Sequence, residues 1–182
     1  MNTILHPVIT KLRSLSIDLP PSPWAEVTSI AIGGLTSVGW IDGSDYLLVC
    51  SSQGRSIVDC CNGEKIARDR SEYHEDEFNL EAEAIGDFTE ITVRVAGIFG
   101  GGLPVTTKAG WHLFIAELDW PEKSLFLVEP GSNVFGSLHG HNDNMTKIGS
   151  ESELRAAGFS PTGTSLIVAT NSDLTIYRQT ET

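Results

Sequence analysis

The chain has 182 residues, 40% apolar and 20% charged, a composition that supports a single globular domain spanning 1–182 with its own core and excludes a disordered tail. Twenty-four acidic residues oppose twelve basic ones, a formal charge of -12, so its field repels phosphate backbones and anionic lipid; nucleic acid and membrane are not expected as partners. No stretch approaches the roughly 20 apolar residues of a membrane helix, and no basic region leads into an apolar run at the N-terminus, so a cytoplasmic location is expected.

In chain order, Ile4, Leu5, Val8, Ile9, Leu12 and Leu15 recur at spacings of three and four, which predicts an amphipathic helix over 3–16. Pro20, Pro21 and Pro23 end it and mark a linker over 19–24. Beyond the linker, short β-branched and aromatic runs alternate with Gly, Asn, Asp and Ser, which predicts a mainly β, antiparallel body over 26–178. Strands are expected at 26–32, 36–41, 46–51, 55–60, 64–69, 79–84, 90–98, 111–118, 124–129, 154–159, 165–170 and 173–178. Asn62-Gly63 predicts a two-residue hairpin turn, since both residues tolerate positive φ. Cys50, Cys60 and Cys61 are too few and too clustered for a disulfide framework, and they lack metal-ligand spacing. Adjacent strand residues face opposite ways, so one of Cys60 and Cys61 is expected inside and the other outside.

An internal repeat organises the body. Val38-Gly39-Trp40, Leu47-Leu48-Val49 and Ser56-Ile57-Val58-Asp59 align without gaps, 119 residues on, with Ala157-Gly158-Phe159, Leu166-Ile167-Val168 and Thr175-Ile176-Tyr177-Arg178. Both copies read strand, turn, strand, turn, strand. Together with the turn Phe159-Ser160-Pro161-Thr162-Gly163, residues 36–70 and 154–178 resemble WD-repeat β-propeller blades. The resemblance implies propeller-like architecture, with Val27-Thr28-Ser29-Ile30-Ala31-Ile32 placed to complete the last blade. About twelve strands supply few blades for a closed ring. A further blade in the middle, a ring shared by two chains as a homo-oligomer, or a sandwich or barrel remain alternatives.

Three features carry candidate chemistry. Eight carboxylates lie between Glu72 and Glu90 without a Lys or Arg. Glu72, Glu75, Asp76, Glu77, Glu81 and Glu83, with Tyr73 and Phe78 as aromatic anchors, are expected to form a docking surface for a basic protein partner. That suits a non-catalytic binding module such as an inhibitor or immunity protein for a basic toxin domain, with no cofactor. Second, His139-Gly140-His141-Asn142-Asp143 resembles the metallo-β-lactamase pattern His-x-His-x-Asp. The alternative it implies is a small metal-dependent hydrolase in which His139, His141 and Asp143, with His112 or His74, hold a divalent ion. Third, Gly97-Ile98-Phe99-Gly100-Gly101-Gly102-Leu103-Pro104 reads as a wide hairpin loop joining 90–98 to 111–118, since no helix pattern follows it. No catalytic serine is assigned. Of the four tryptophans, Trp120, before Pro121 at a strand end, is expected to be the most exposed.

Overall fold

The structure, a computed structural model, describes residues 6–180, so positions 3–5 of the expected helix lie outside the described residues. The elements run α1 (His6–Ser14), β1 (Trp24–Ala31), β2 (Leu35–Trp40), β3 (Tyr46–Ser51), β4 (Gly54–Asp59), β5 (Glu64–Asp69), β6 (Glu81–Glu83) and β7 (Thr92–Arg94). They continue as β8 (Ala96–Gly97), β9 (His112–Asp119), β10 (Glu122–Val128), β11 (Met145–Glu151), β12 (Leu154–Phe159), β13 (Ser165–Thr170) and β14 (Asp173–Gln179). The protein is mainly β with antiparallel sheets; among the described residues no sheet closes into a barrel or a propeller ring.

The chain divides into two compact units. The larger, residues 22–104 and 154–182, holds a five-stranded sheet in the order β5-β4-β3-β2-β8, a four-stranded sheet β1-β14-β13-β12 and the hairpin β6-β7. The sequence repeat is visible here strand by strand, because β2, β3 and β4 begin 119 residues before β12, β13 and β14. β1 pairs antiparallel with β14, from Trp24 opposite Gln179 to Ala31 opposite Asp173, and so occupies the place that β5 holds beside β4. The N-terminal strand therefore completes the last sheet, as expected. Asp45, in the turn after β2, accepts hydrogen bonds from Thr162 at 2.9 and 2.8 Å and from Thr164 at 3.1 Å, its own repeat counterpart, tying the two repeat turns together.

The unbroken apolar run Leu47-Leu48-Val49-Cys50 is buried on both faces. Leu47 and Val49 share a core with Val38, Trp40, Ile167, Leu174 and Ile176, while Leu48 and Cys50 face Ala82, Ile85, Val93 and Val95 beneath the β6-β7 hairpin. The thiols are free. Burial pushes Cys50 up to about 12 and raises Cys60 further, so neither ionises near neutrality.

In the smaller unit, residues 1–21 and 105–153, α1 lies on a three-stranded sheet β11-β10-β9. Val8 and Leu12, four residues apart on one helix face, are buried against Phe126, Val128 and Val134. The helix stops at Ser14, where the Ser14 hydroxyl donates to the Lys11 carbonyl at 2.7 Å. Arg13 donates to the Leu118 carbonyl at 2.6 Å and pairs with Asp119 at 3.1 Å, fixing the helix end to the β9-β10 hairpin. At the tip of that hairpin Trp120 is 86% exposed, the most exposed of the four tryptophans as expected.

Several boundaries differ from the sequence reading, each for a local reason. The strand expected over 90–98 is two short pieces with different partners: β7 pairs with β6, and β8 pairs with β2. Because β9 pairs with β10, the glycine-rich segment is not a hairpin connection between 90–98 and 111–118. β1 starts inside the expected linker, because Trp24 is a buried core residue at 3% exposure. The turn at Asn62-Gly63 is four residues, Cys60 to Gly63, closed by the Gly63 N–H on the Asp59 carbonyl at 2.8 Å. Only Gly63 of the pair has positive φ. Cys60 is buried and Cys61 exposed as expected, but they lie in this turn rather than in a strand. β11 was not expected: it is polar and buries only Ile148, so no alternation marks it.

Candidate functional site

The acidic run resolves into carboxylates that build the surface and carboxylates that decorate it. Glu75 belongs to the first group. It accepts from the hydroxyls of Thr36 at 2.7 Å and Ser37 at 2.5 Å, and the Tyr73 hydroxyl lies 3.2 Å away. Since Ser37 is buried on β2, Glu75 clamps the 72–80 segment to the five-stranded sheet. Tyr73 serves the same purpose: its hydroxyl also reaches the Ser51 carbonyl at 3.0 Å, and the Arg55 guanidinium sits 4.9 Å from its ring centre. Half-buried in this way, Tyr73 is an internal prop rather than a protruding anchor, and burial raises its phenol.

Phe78 is the opposite case. Asp76 and Glu81 exchange backbone hydrogen bonds at 2.8 and 3.1 Å, closing the four-residue loop Glu77-Phe78-Asn79-Leu80. The Asp76 carboxylate accepts from the Phe78 and Asn79 N–H groups at 3.0 and 2.8 Å and from the Asn79 side chain at 2.8 Å, and Leu80 closes the loop with φ 57. The result is a rigid tip on which Phe78 is 93% exposed. Glu72, Glu77 and Glu83 are exposed, and Glu81 is half-buried in β6. Beside the segment, a depression of about 820 Å³ is lined by Arg70, Glu72, Tyr73, His74, Glu77 and Phe99 among others. Phe99, 49% exposed, and Ile98, 55% exposed, stand on a tight turn closed by mutual hydrogen bonds of Gly97 and Gly100 at 2.8 and 3.1 Å. Their signal in the sequence is two large apolar side chains set between glycines. The close backbone approach that those glycines permit is made by strand β2, since a Cβ on Gly97 would strike the Thr36 carbonyl oxygen.

The second candidate site comes apart. Asp143 forms an ion pair with Lys11 of α1 at 2.6 Å, and Lys11 with Ser137 holds its carboxyl below the usual range. His112 Nδ1 lies 2.9 Å from the Thr106 hydroxyl, and His139 and His141 sit in the exposed loop before β11. Among the described residues, no three His, Cys, Asp or Glu side chains are grouped so as to hold a metal ion.

Four aspartates share one electrostatic signature. Hydrogen bonds from Ser71 and Arg55 bring Asp69 down to about 2, the Asn79 backbone and side chain lower Asp76, and Lys11 lowers Asp143. At Asp45, burial acts to raise the carboxyl, but hydrogen bonds from Thr162 and Thr164, with the Ser160 hydroxyl beside them, outweigh it. Depressed folded-state values stabilise the fold above the unfolded carboxyl value near 3.8 and lose that contribution as pH falls toward about 2. Chemical denaturation midpoints should therefore be flat from pH 7 to about 5 and fall steeply below about 4. A midpoint unchanged between pH 5 and 3 would show that these hydrogen bonds do not favour the charged forms.

Compared with known proteins, the chain matches no family model, and no curated protein is significantly similar to it in sequence.

Proposed function

We propose that this protein is a non-catalytic binding module that uses the acidic, aromatic-tipped face of its larger unit to capture a basic protein partner in the cytoplasm. The observation that carries the reading is Phe78: a large apolar side chain, 93% exposed, held on a loop that Asp76 makes rigid. An exposed phenylalanine costs solubility and adds nothing to the core, whereas a preorganised aromatic is the kind of group that dominates interface energy. The exposed carboxylates Glu72, Glu77 and Glu83 supply negative charge, which steers a basic partner and accelerates encounter. Within this reading, an inhibitor or immunity protein directed at a basic toxin domain is the subclass that fits the charge and size. The two repeat-related sheets are the scaffold, and we read them as propeller-like blades on the strength of their shared strand order and the resemblance of their turns.

The test places a photo-crosslinking amino acid at position 78 of the full chain in its source cells, identifies the captured protein, and measures its purified binding. Phe78→Ala should weaken binding about thirtyfold, the loss of a typical interface anchor. Reversing Glu72, Glu77 and Glu83 to Lys should slow association and remove its salt dependence. Absence of a captured protein, or a partner indifferent to both variants, would rule out the docking face.

A further inference from the structure

The loop between β10 and β11 is a second feature with the construction of a binding site, and the docking face does not account for it. Its ends are joined by the Glu129 N–H on the Asn144 carbonyl at 3.1 Å, which makes residues 129–144 an Ω-loop, a class of compact surface loop that is frequently functional. Val134 and Leu138, four residues apart, plug the loop into the core of the smaller unit. Asp143 pins it to α1 through Lys11.

Inside the loop the backbone closes on itself. Asn133 N–H donates to the Asn142 carbonyl at 2.9 Å, and His141 N–H to the Gly136 carbonyl at 2.9 Å. The crossing is so tight that a Cβ on Gly136 would collide with the Asn142 carbonyl oxygen. Asn133 turns its side-chain oxygen inward to accept the Phe135 N–H at 2.8 Å, which orients its carboxamide. Phe135, 39% exposed, is held by a near-perpendicular contact of 77° with Phe114.

These residues surround a depression of about 720 Å³, inside the roughly 300–1,000 Å³ range of small-molecule sites. Its lining decides the class of ligand. Asn133, Asn142, His139, His141 and Ser132 offer hydrogen-bond donors and acceptors, Phe135 offers an apolar ring, and no Asp, Glu, Lys or Arg lines the site. A charged ligand would leave its water shell without a counter-charge, and a wholly apolar one would strand the amides and imidazoles. A ligand with hydroxyls around its edge and an apolar C–H face satisfies both kinds of group. We propose that the 129–144 loop is a binding site for a neutral saccharide, with Phe135 packing against the sugar ring and Asn133, Asn142, His139 and His141 taking its hydroxyls.

The experiment probes a glycan array with the labelled full chain and then titrates the retained sugar, beside glucose, galactose, mannose and N-acetylglucosamine, while following backbone amide signals. Saturable shifts confined to residues 131–142 are expected, with dissociation constants on the order of millimolar for a monosaccharide. Phe135→Ala and Asn133→Ala should each weaken binding by about three- to tenfold while the remaining amide spectrum is unchanged. No retained glycan and no saturable shift with any sugar would overturn the proposal, as would binding unaltered in both variants. Shifts at 131–142 produced by inorganic phosphate or zinc chloride and by no neutral sugar would overturn it as well, by assigning the loop to an ion.

Discussion

Replacing Phe159 by Ala is expected to cost about 3–5 kcal/mol, enough to lower the thermal midpoint of the larger unit by roughly 10–15 °C. Phe159 is fully buried at the end of β12, its ring centre is 5.4 Å from that of Trp24, and its N–H donates to the Pro104 carbonyl at 2.7 Å. Truncation removes apolar surface and leaves a cavity that the surroundings refill only in part. Trp24 makes the expected loss large, because it lies on β1, the N-terminal strand paired with β14. Emptying the space beside Trp24 weakens the packing that seats this closing strand. Circular dichroism melts of the single variant, with Phe78→Ala as the exposed comparison, check the result. A loss below about 1 kcal/mol would mean that the site collapses without a cavity and that β1 is held by its ladder alone.

The second large effect is expected at two glycines that the repeat relates. Gly39 and Gly158 occupy equivalent positions in β2 and β12, and neither has the positive φ that would by itself require glycine. What they share is a neighbouring chain segment pressed against the Cα. A Cβ at Gly39 would collide with the Arg94 carbonyl oxygen and come within 2.7 Å of Val93, and one at Gly158 would meet Leu103 at 2.5 Å and the Pro104 carbonyl at 2.7 Å. Backbone cannot swing aside as a long side chain can, so Gly39→Ala and Gly158→Ala are each expected to cost about 2–3 kcal/mol. Gly102→Ala is the control: nothing lies within 4 Å of its added Cβ, and the change should stay within about 0.5 kcal/mol. Denaturant midpoints for the three variants test this together. Equal midpoints would show that the segments at 93–94 and 103–104 yield freely.

The 93–94 segment also bears on the docking face. Arg94 pairs with Glu81 across the β6-β7 hairpin, and Glu81 closes the loop that carries Phe78. Gly39→Ala displaces the Arg94 backbone from the β2 side, so a loss of partner binding in this variant reports scaffold movement rather than a lost contact. Phe78→Ala, exposed and outside the core, reports the contact itself.

The strands of the repeat are legible in local sequence. Its short β-branched and aromatic runs marked the strands of the repeat, and the gapless 119-residue offset carried β2, β3 and β4 onto β12, β13 and β14, because strand propensity and turn chemistry are properties of neighbouring residues. The N-terminal strand's place beside β14 was also legible, since a sheet with three strands in the repeat leaves an edge to cover. Tertiary structure alone decided what is not local. β11 is a polar strand made by pairing with β10, and the 90–98 run breaks because its two halves meet different partners. The acidic run shows the same division most plainly: composition marks it, yet only the hydroxyls of Thr36 and Ser37, some 38 residues upstream, make Glu75 a clamp. Asp76 freezes the loop, and what remains for solvent is Phe78. A residue's charge is written in the sequence, but whether that charge is spent inside the fold or presented outside depends on which distant donors the folded chain brings within hydrogen-bond reach.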